Sequence, residues 1–179
     1  MSPLPLFGKR GSRPPEQYVK ALMEEPAAAD VEWLAATATG DDRDRAGWEL
    51  RYLRRALGLI VAQRDALDDR TASAVAHELT AEMAKDRNVA APLIRLAERQ
   101  FNDRLSAYRE MIALRGTAEG LPERIGRTLL LMSGAGRMAK DDLERAAILS
   151  ERYLLTASER LRAAFGAATL PDTETLRDR

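Results

Sequence analysis

Leu50, Leu53, Leu57 and Ile60 follow one another at intervals of three and four residues, and Leu67 rejoins the row after one break at Arg64. Side chains at that spacing lie on one side of an α-helix. Residues 42–67 are therefore expected to form a long helix with an apolar stripe. Asp41, Asp42 and Asp44 stand at its front, where carboxylates favour the helix dipole. Such a stripe must be kept from water, either by other helices of the same chain or by a second chain.

The rest of the chain reads as partners for it. Pro15–Glu25 is expected to be a short helix stopped by Pro26, and Asp30–Thr39 another, with Asp30 as N-cap and Gly40 as the stop. Asp68-Asp69-Arg70-Thr71 offers a cap and restart, leaving open whether residues 42–87 are one helix or two. A stripe of Ala72, Val75, Ala76, Leu79 and Met83 follows and ends at Asn88. Pro92 suits the first turn of the next helix, whose face is Ile94, Ala97, Phe101, Leu105, Tyr108 and Ile112, with Gly116 as its end. Leu121 opens a shorter helix closed by Ser133-Gly134-Ala135-Gly136. The last helix starts near Ala139, carries Leu143, Ala147, Leu154, Ala157 and Leu161 as its stripe, and stops at Gly166. No alternating strand pattern and no repeat interrupts this series. The expected fold is all-α: a bundle of about six or seven helices, four of them long, with the domain at 15–166. Residues 1–14, with five Pro and Gly residues, read as a flexible basic leader and 167–179 as a tail.

Composition narrows function mainly by exclusion. No run of about 18 apolar residues could span a membrane. The first residues place their positive charges after the apolar ones, the reverse of a signal peptide, so a cytoplasmic location is expected. There is no cysteine, which removes disulfides and thiolate chemistry. Lys and Arg number 28 and so do Asp and Glu, giving no basic field of the kind that gathers nucleic acid.

Three stretches spell something local. Asn102, Ser106 and Glu110, in FNDRLSAYRE, fall four apart on one helical side. The spelling N-D-x-x-S-x-x-x-E resembles the second magnesium-binding motif of class I terpene synthases, which implies a metal held against a diphosphate. The aspartate-rich partner motif that goes with it is lacking; Asp65, Asp68 and Asp69 stand in the wrong order, and few aromatics exist to line a pocket. The three residues are therefore read as the solvated flank of a helix whose buried face is Phe101, Leu105, Tyr108 and Ile112.

His77-Glu78-Leu79 resembles the start of a sensor histidine kinase phosphoacceptor box, but it continues Thr80-Ala81-Glu82, and an ordinary helical histidine is the simpler reading. As the sole histidine it also removes two-histidine metal sets. Ser133-Gly134-Ala135-Gly136-Arg137, near Lys140, lacks phosphate-loop spacing and follows a helix, so an interhelical turn is expected.

Two groups could meet a partner. In the leader, Leu4, Leu6 and Phe7 precede Lys9, Arg10 and Arg13, a combination able to dock in a groove or touch anionic lipid weakly. On the long helix, Arg51, Arg54 and Arg55 cluster beside Trp48 and Tyr52, with Glu49 and Asp65 able to pair locally. The function expected from the sequence is a non-catalytic helical interaction or scaffold protein, self-associating through its wide apolar stripes, without cofactor. The alternative is a magnesium-dependent enzyme or binding protein for a phosphorylated small molecule, built on Asn102, Ser106, Glu110 and the Asp68/Asp69 pair.

Overall fold

The computed structural model, which describes residues 13–66, 68–114 and 118–166, surrounds the leucine stripe instead of presenting it. Its elements are α1 (Pro14–Leu22), α2 (Ala28–Leu34) running into a π turn (Ala35–Thr39), α3 (Arg43–Asp65), α4 (Asp69–Ala84), a 3₁₀ turn (Ala91–Leu93) leading into α5 (Ile94–Ala113), α6 (Leu121–Ser133) and α7 (Lys140–Phe165). Among the described residues the fold is all-α, without strands, and none of these helices is long and apolar enough to cross a membrane.

Helix α3 is the hub: it touches every other helix. Leu50, Leu53 and Leu57 are wholly buried, as are Ala46, Ala56, Val61 and Ala62 on other sides of the same helix. Each such leucine contributes about 1.5–3 kcal/mol through the apolar area removed from water. Asp42 starts α3 by accepting the Arg45 N–H at 2.9 Å. Ala66, in extended conformation, ends it. Asp68 then accepts the Thr71 N–H at 2.6 Å and caps α4, so the chain breaks into two helices here.

Several expected boundaries move, each for a tertiary reason. Helix α1 begins at Pro14 and ends at Leu22, short of Pro26, and Arg13 belongs to its cap: its N–H and Nε donate to Glu16 at 3.1 and 2.6 Å. Asp30 is not an N-cap; it lies inside α2, buried, with its carboxylate accepting from Arg152 of α7. Helix α4 stops at Ala84, before Asn88, because Asp86 turns inward to meet Arg55 and also accepts the Asn88 N–H at 3.0 Å. Gly116, Leu67, most of the leader and the 167–179 tail lie outside the described residues.

The tightest helix pair is α6 against α7. Gly126 faces the Ala146–Ala147 backbone so closely that an added Cβ would lie 2.6 Å from the Ala146 carbonyl carbon. That approach shifts the buried side of α7 only in part from the expected stripe, of which Ala147, Ala157 and Leu161 are buried. Ala146, Ser150, Tyr153 and Ala157 form the centre of its buried side, while Leu143 and Leu154 move to the half-buried edge. Gly134 closes α6 in the left-handed conformation, φ 99°, and the Ala135 N–H returns to the Leu130 carbonyl at 3.0 Å. The 133–137 stretch is thus an interhelical turn.

Candidate functional site

The three arginines read as one exposed basic patch are dispersed by the helix they sit on. Arg55 is buried, donating from Nη2 to Asp86 at 2.8 Å, with the two side chains 3% and 5% exposed. Arg51 lies over Trp48, 4.7 Å from the ring centre, and binds Glu25 from Nε at 3.0 Å. Arg54 reaches the Glu24 and Glu25 carbonyls at 2.6 and 3.2 Å. The middle of α3 is enclosed by its neighbours, and its cations there lie on neighbouring carbonyls and carboxylates, so the patch reading is corrected: these residues fasten α3 to what surrounds it.

Glu49 likewise does not pair along α3. Arg104 of α5 holds it with a two-pronged contact, Nε at 3.1 Å and Nη2 at 2.5 Å. The Tyr108 hydroxyl, one α5 turn further on, has no hydrogen-bond partner among the described residues. Burial, aided by the Glu49 carboxylate, pushes its pKa well above the ordinary tyrosine value. Asp65, by contrast, pairs locally with Arg64 at 2.6 and 2.8 Å, which holds its carboxyl below the usual range.

Asn102, Ser106 and Glu110 are all exposed on α5, opposite the Phe101–Leu105–Tyr108 face. Asp68 is engaged in capping α4, and the Thr71 N–H keeps its carboxyl below the ordinary value. No group of three or more His, Asp or Glu among the described residues is placed to hold a metal ion. Replacing Asn102, Ser106 and Glu110 together by alanine is expected to shift Tm by less than about 2 °C, because exposed helical positions of this kind carry little stability. Thermal unfolding by circular dichroism, with and without magnesium diphosphate, checks this, and the added salt is expected to leave the Tm of wild type and triple variant alike. His77 is exposed on α4. Of the leader residues named for docking, Arg13 lies within the described part; Leu4, Leu6, Phe7, Lys9 and Arg10 fall outside it.

The feature that the sequence reading passed over is on α7. Ile148 and Leu155 are 60% and 58% exposed, the two most exposed large apolar side chains among the described residues. They are seven residues apart, with Asp141 and Arg162 seven residues beyond them at either end, and both of those are exposed too. Spacing by sevens keeps all four in one row, opposite the Ser150–Tyr153–Ala157 side that faces the core. Other exposed apolar residues, Leu93, Leu96, Leu114 and Leu131, form no such row. The row was visible in the sequence as two apolar residues off the main stripe. The competing stripe of Leu143, Ala147, Leu154 and Leu161 hid it. No known protein family matches the chain, and no similar curated protein or solved structure was found.

Proposed function

We propose that this chain is a non-catalytic helical interaction protein that presents the outer row of α7 to a second copy of itself. The observation that carries this reading is the row Asp141–Ile148–Leu155–Arg162 on the side of α7 turned away from the core. Its ends have opposite charge. Two copies of α7 laid antiparallel bring Ile148 of one against Leu155 of the other, and Asp141 against Arg162, twice over. A parallel pairing would set Asp141 against Asp141 and Arg162 against Arg162. The antiparallel arrangement is the self-complementary one, as a twofold contact requires.

The leucine stripe of α3 no longer supports self-association, since the protein's own helices cover it. The α7 row is small, and in the antiparallel pair Glu151 of each copy lies near the axis, facing its like. The rigid-body cost of joining two molecules is several kcal/mol, so the contact is expected to be weak, with a dissociation constant of about 0.1–1 mM. Sedimentation velocity between roughly 10 µM and 1 mM reads this directly. The mass is expected to rise with concentration for the wild type and to stay monomeric for Leu155→Glu, a change at an exposed position that leaves the core alone. A wild type monomeric throughout, or a Leu155→Glu variant that associates equally well, contradicts the reading.

A further inference from the structure

On the other flank of α7 a cavity of about 230 Å³ opens between α1, the 23–27 linker, α2, α3 and α7. Its apolar wall is Leu22, Ala27 and Ala157, and its polar side is Arg54, Arg152, Arg160 and Tyr153. Arg54 and Arg152 lie over the Tyr153 ring, 4.8 and 5.8 Å from its centre. The ring is buried, 5% exposed, and its hydroxyl makes no well-formed hydrogen bond to any described residue, although the Arg54 guanidinium lies close enough to act on it. A buried hydroxyl without a partner is unfavourable, so something at this position is worth seeking. Burial raises the pKa of this hydroxyl, while the nearby guanidinium of Arg54 pulls the other way. It therefore remains a neutral O–H, a donor, at physiological pH.

The cations around the cavity are not all committed. Arg54 uses Nη1 on the Glu24 and Glu25 carbonyls, and Arg152 uses Nη2 on Asp30. Arg160 makes no hydrogen bond or ion pair among the described residues. Three guanidiniums thus meet two carboxylates, Asp30 and Glu24, on the cavity wall. Positive charge, one spare O–H donor and an adjoining apolar wall together fit one kind of guest.

We infer that this cavity binds a small organic anion, its carboxylate or phosphoryl head on the Tyr153 hydroxyl and the Arg160 and Arg152 guanidiniums, and a short apolar body against Leu22, Ala27 and Ala157. The head is recognised by charge-assisted hydrogen bonds, which guanidinium groups make in pairs. The volume limits the body to a few carbons or one ring. Nothing in this depends on the outer row of α7.

Titration calorimetry on the full chain at constant ionic strength, with phenyl phosphate, benzoate and inorganic phosphate as probes, tests the site. At least one of the two organic probes is expected to bind saturably and more tightly than inorganic phosphate, and which one does so identifies the head group. Tyr153→Phe keeps the ring and removes only the oxygen; Arg160→Gln alters an exposed side chain. Each is expected to weaken the organic probe about tenfold. No saturable binding up to about 10 mM, a free energy near −2.7 kcal/mol, overturns the inference. So does a loss below about threefold in either variant.

Discussion

Asp86→Ala is expected to lower the free energy of unfolding by about 3–5 kcal/mol, the usual consequence of leaving one member of a buried ion pair without the other. The Arg55 guanidinium would remain between α3 and the turn after α4 with nothing to balance it. At about 2–4 °C per kcal/mol for a chain of this size, Tm falls by roughly 6–20 °C. The pair itself is a different matter. Arg55 Nε has no hydrogen-bond partner among the described residues, so the two charges are not fully compensated in their buried site. Replacing both, as Arg55→Met with Asp86→Ala, is therefore expected to recover most of the loss. Urea unfolding of the two single variants and the double gives the three numbers needed. A loss under about 1 kcal/mol for Asp86→Ala would mean that the pair is open to water.

Gly126→Ala carries the second large effect, and its sign runs against helix propensity. Alanine is the better helix former by about 1 kcal/mol, so an unconfined glycine in a helix gains from the change. At Gly126 the new methyl would meet the Ala146 and Ala147 backbone at 2.6 and 2.7 Å, and backbone cannot swing aside as a side-chain tip can. Separating α6 from α7 to admit it is expected to cost about 2–3 kcal/mol net. Gly47 supplies the control, since its added Cβ meets only Arg51 Nη1, at an ordinary 3.6 Å. Gly47→Ala should leave stability unchanged or raise it by up to about 1 kcal/mol. Thermal melts of both variants side by side decide the matter. Equal shifts would remove the close α6–α7 contact from the account.

What could be read from the sequence follows how local the controlling interaction is. The α3 stripe and the α5 face depend on spacing within one helix, and both are buried at their centres as expected, at Leu50, Leu53 and Leu57 and at Phe101, Leu105 and Tyr108. Capping by Asp42 and Asp68 is also local, each carboxylate binding an N–H three residues on. Helix ends governed from afar were misplaced. Asp30 looks like a cap until Arg152 appears beside it, and no spacing rule announces a partner 122 residues away. Asp86 ends α4 early because of Arg55, on another helix.

The partial shift of the buried side of α7 has a similar origin. Counting large apolar residues favours Leu143 and Leu154, whereas the close approach of Gly126 to the Ala146–Ala147 backbone draws Ala146 and Ser150 inward and leaves those two leucines at the edge. Ile148 and Leu155 lie off both the expected stripe and the observed buried side. The cavity beside Tyr153 was least legible, being assembled from α1, a linker, α2, α3 and α7.

The most direct test of the α7 contact uses the absence of cysteine from the chain, which makes any introduced thiol the sole one in its molecule. Ile148→Cys and Leu155→Cys are prepared separately, mixed at about 0.5 mM, within the expected dissociation range, and oxidised gently. The antiparallel pairing brings these two positions together across copies. The expected result is a disulfide joining the two variants to each other, formed in preference to either like pair. A preference for like pairs would indicate parallel helices, and no crosslink above that of an exposed control such as Glu110→Cys would contradict the contact altogether.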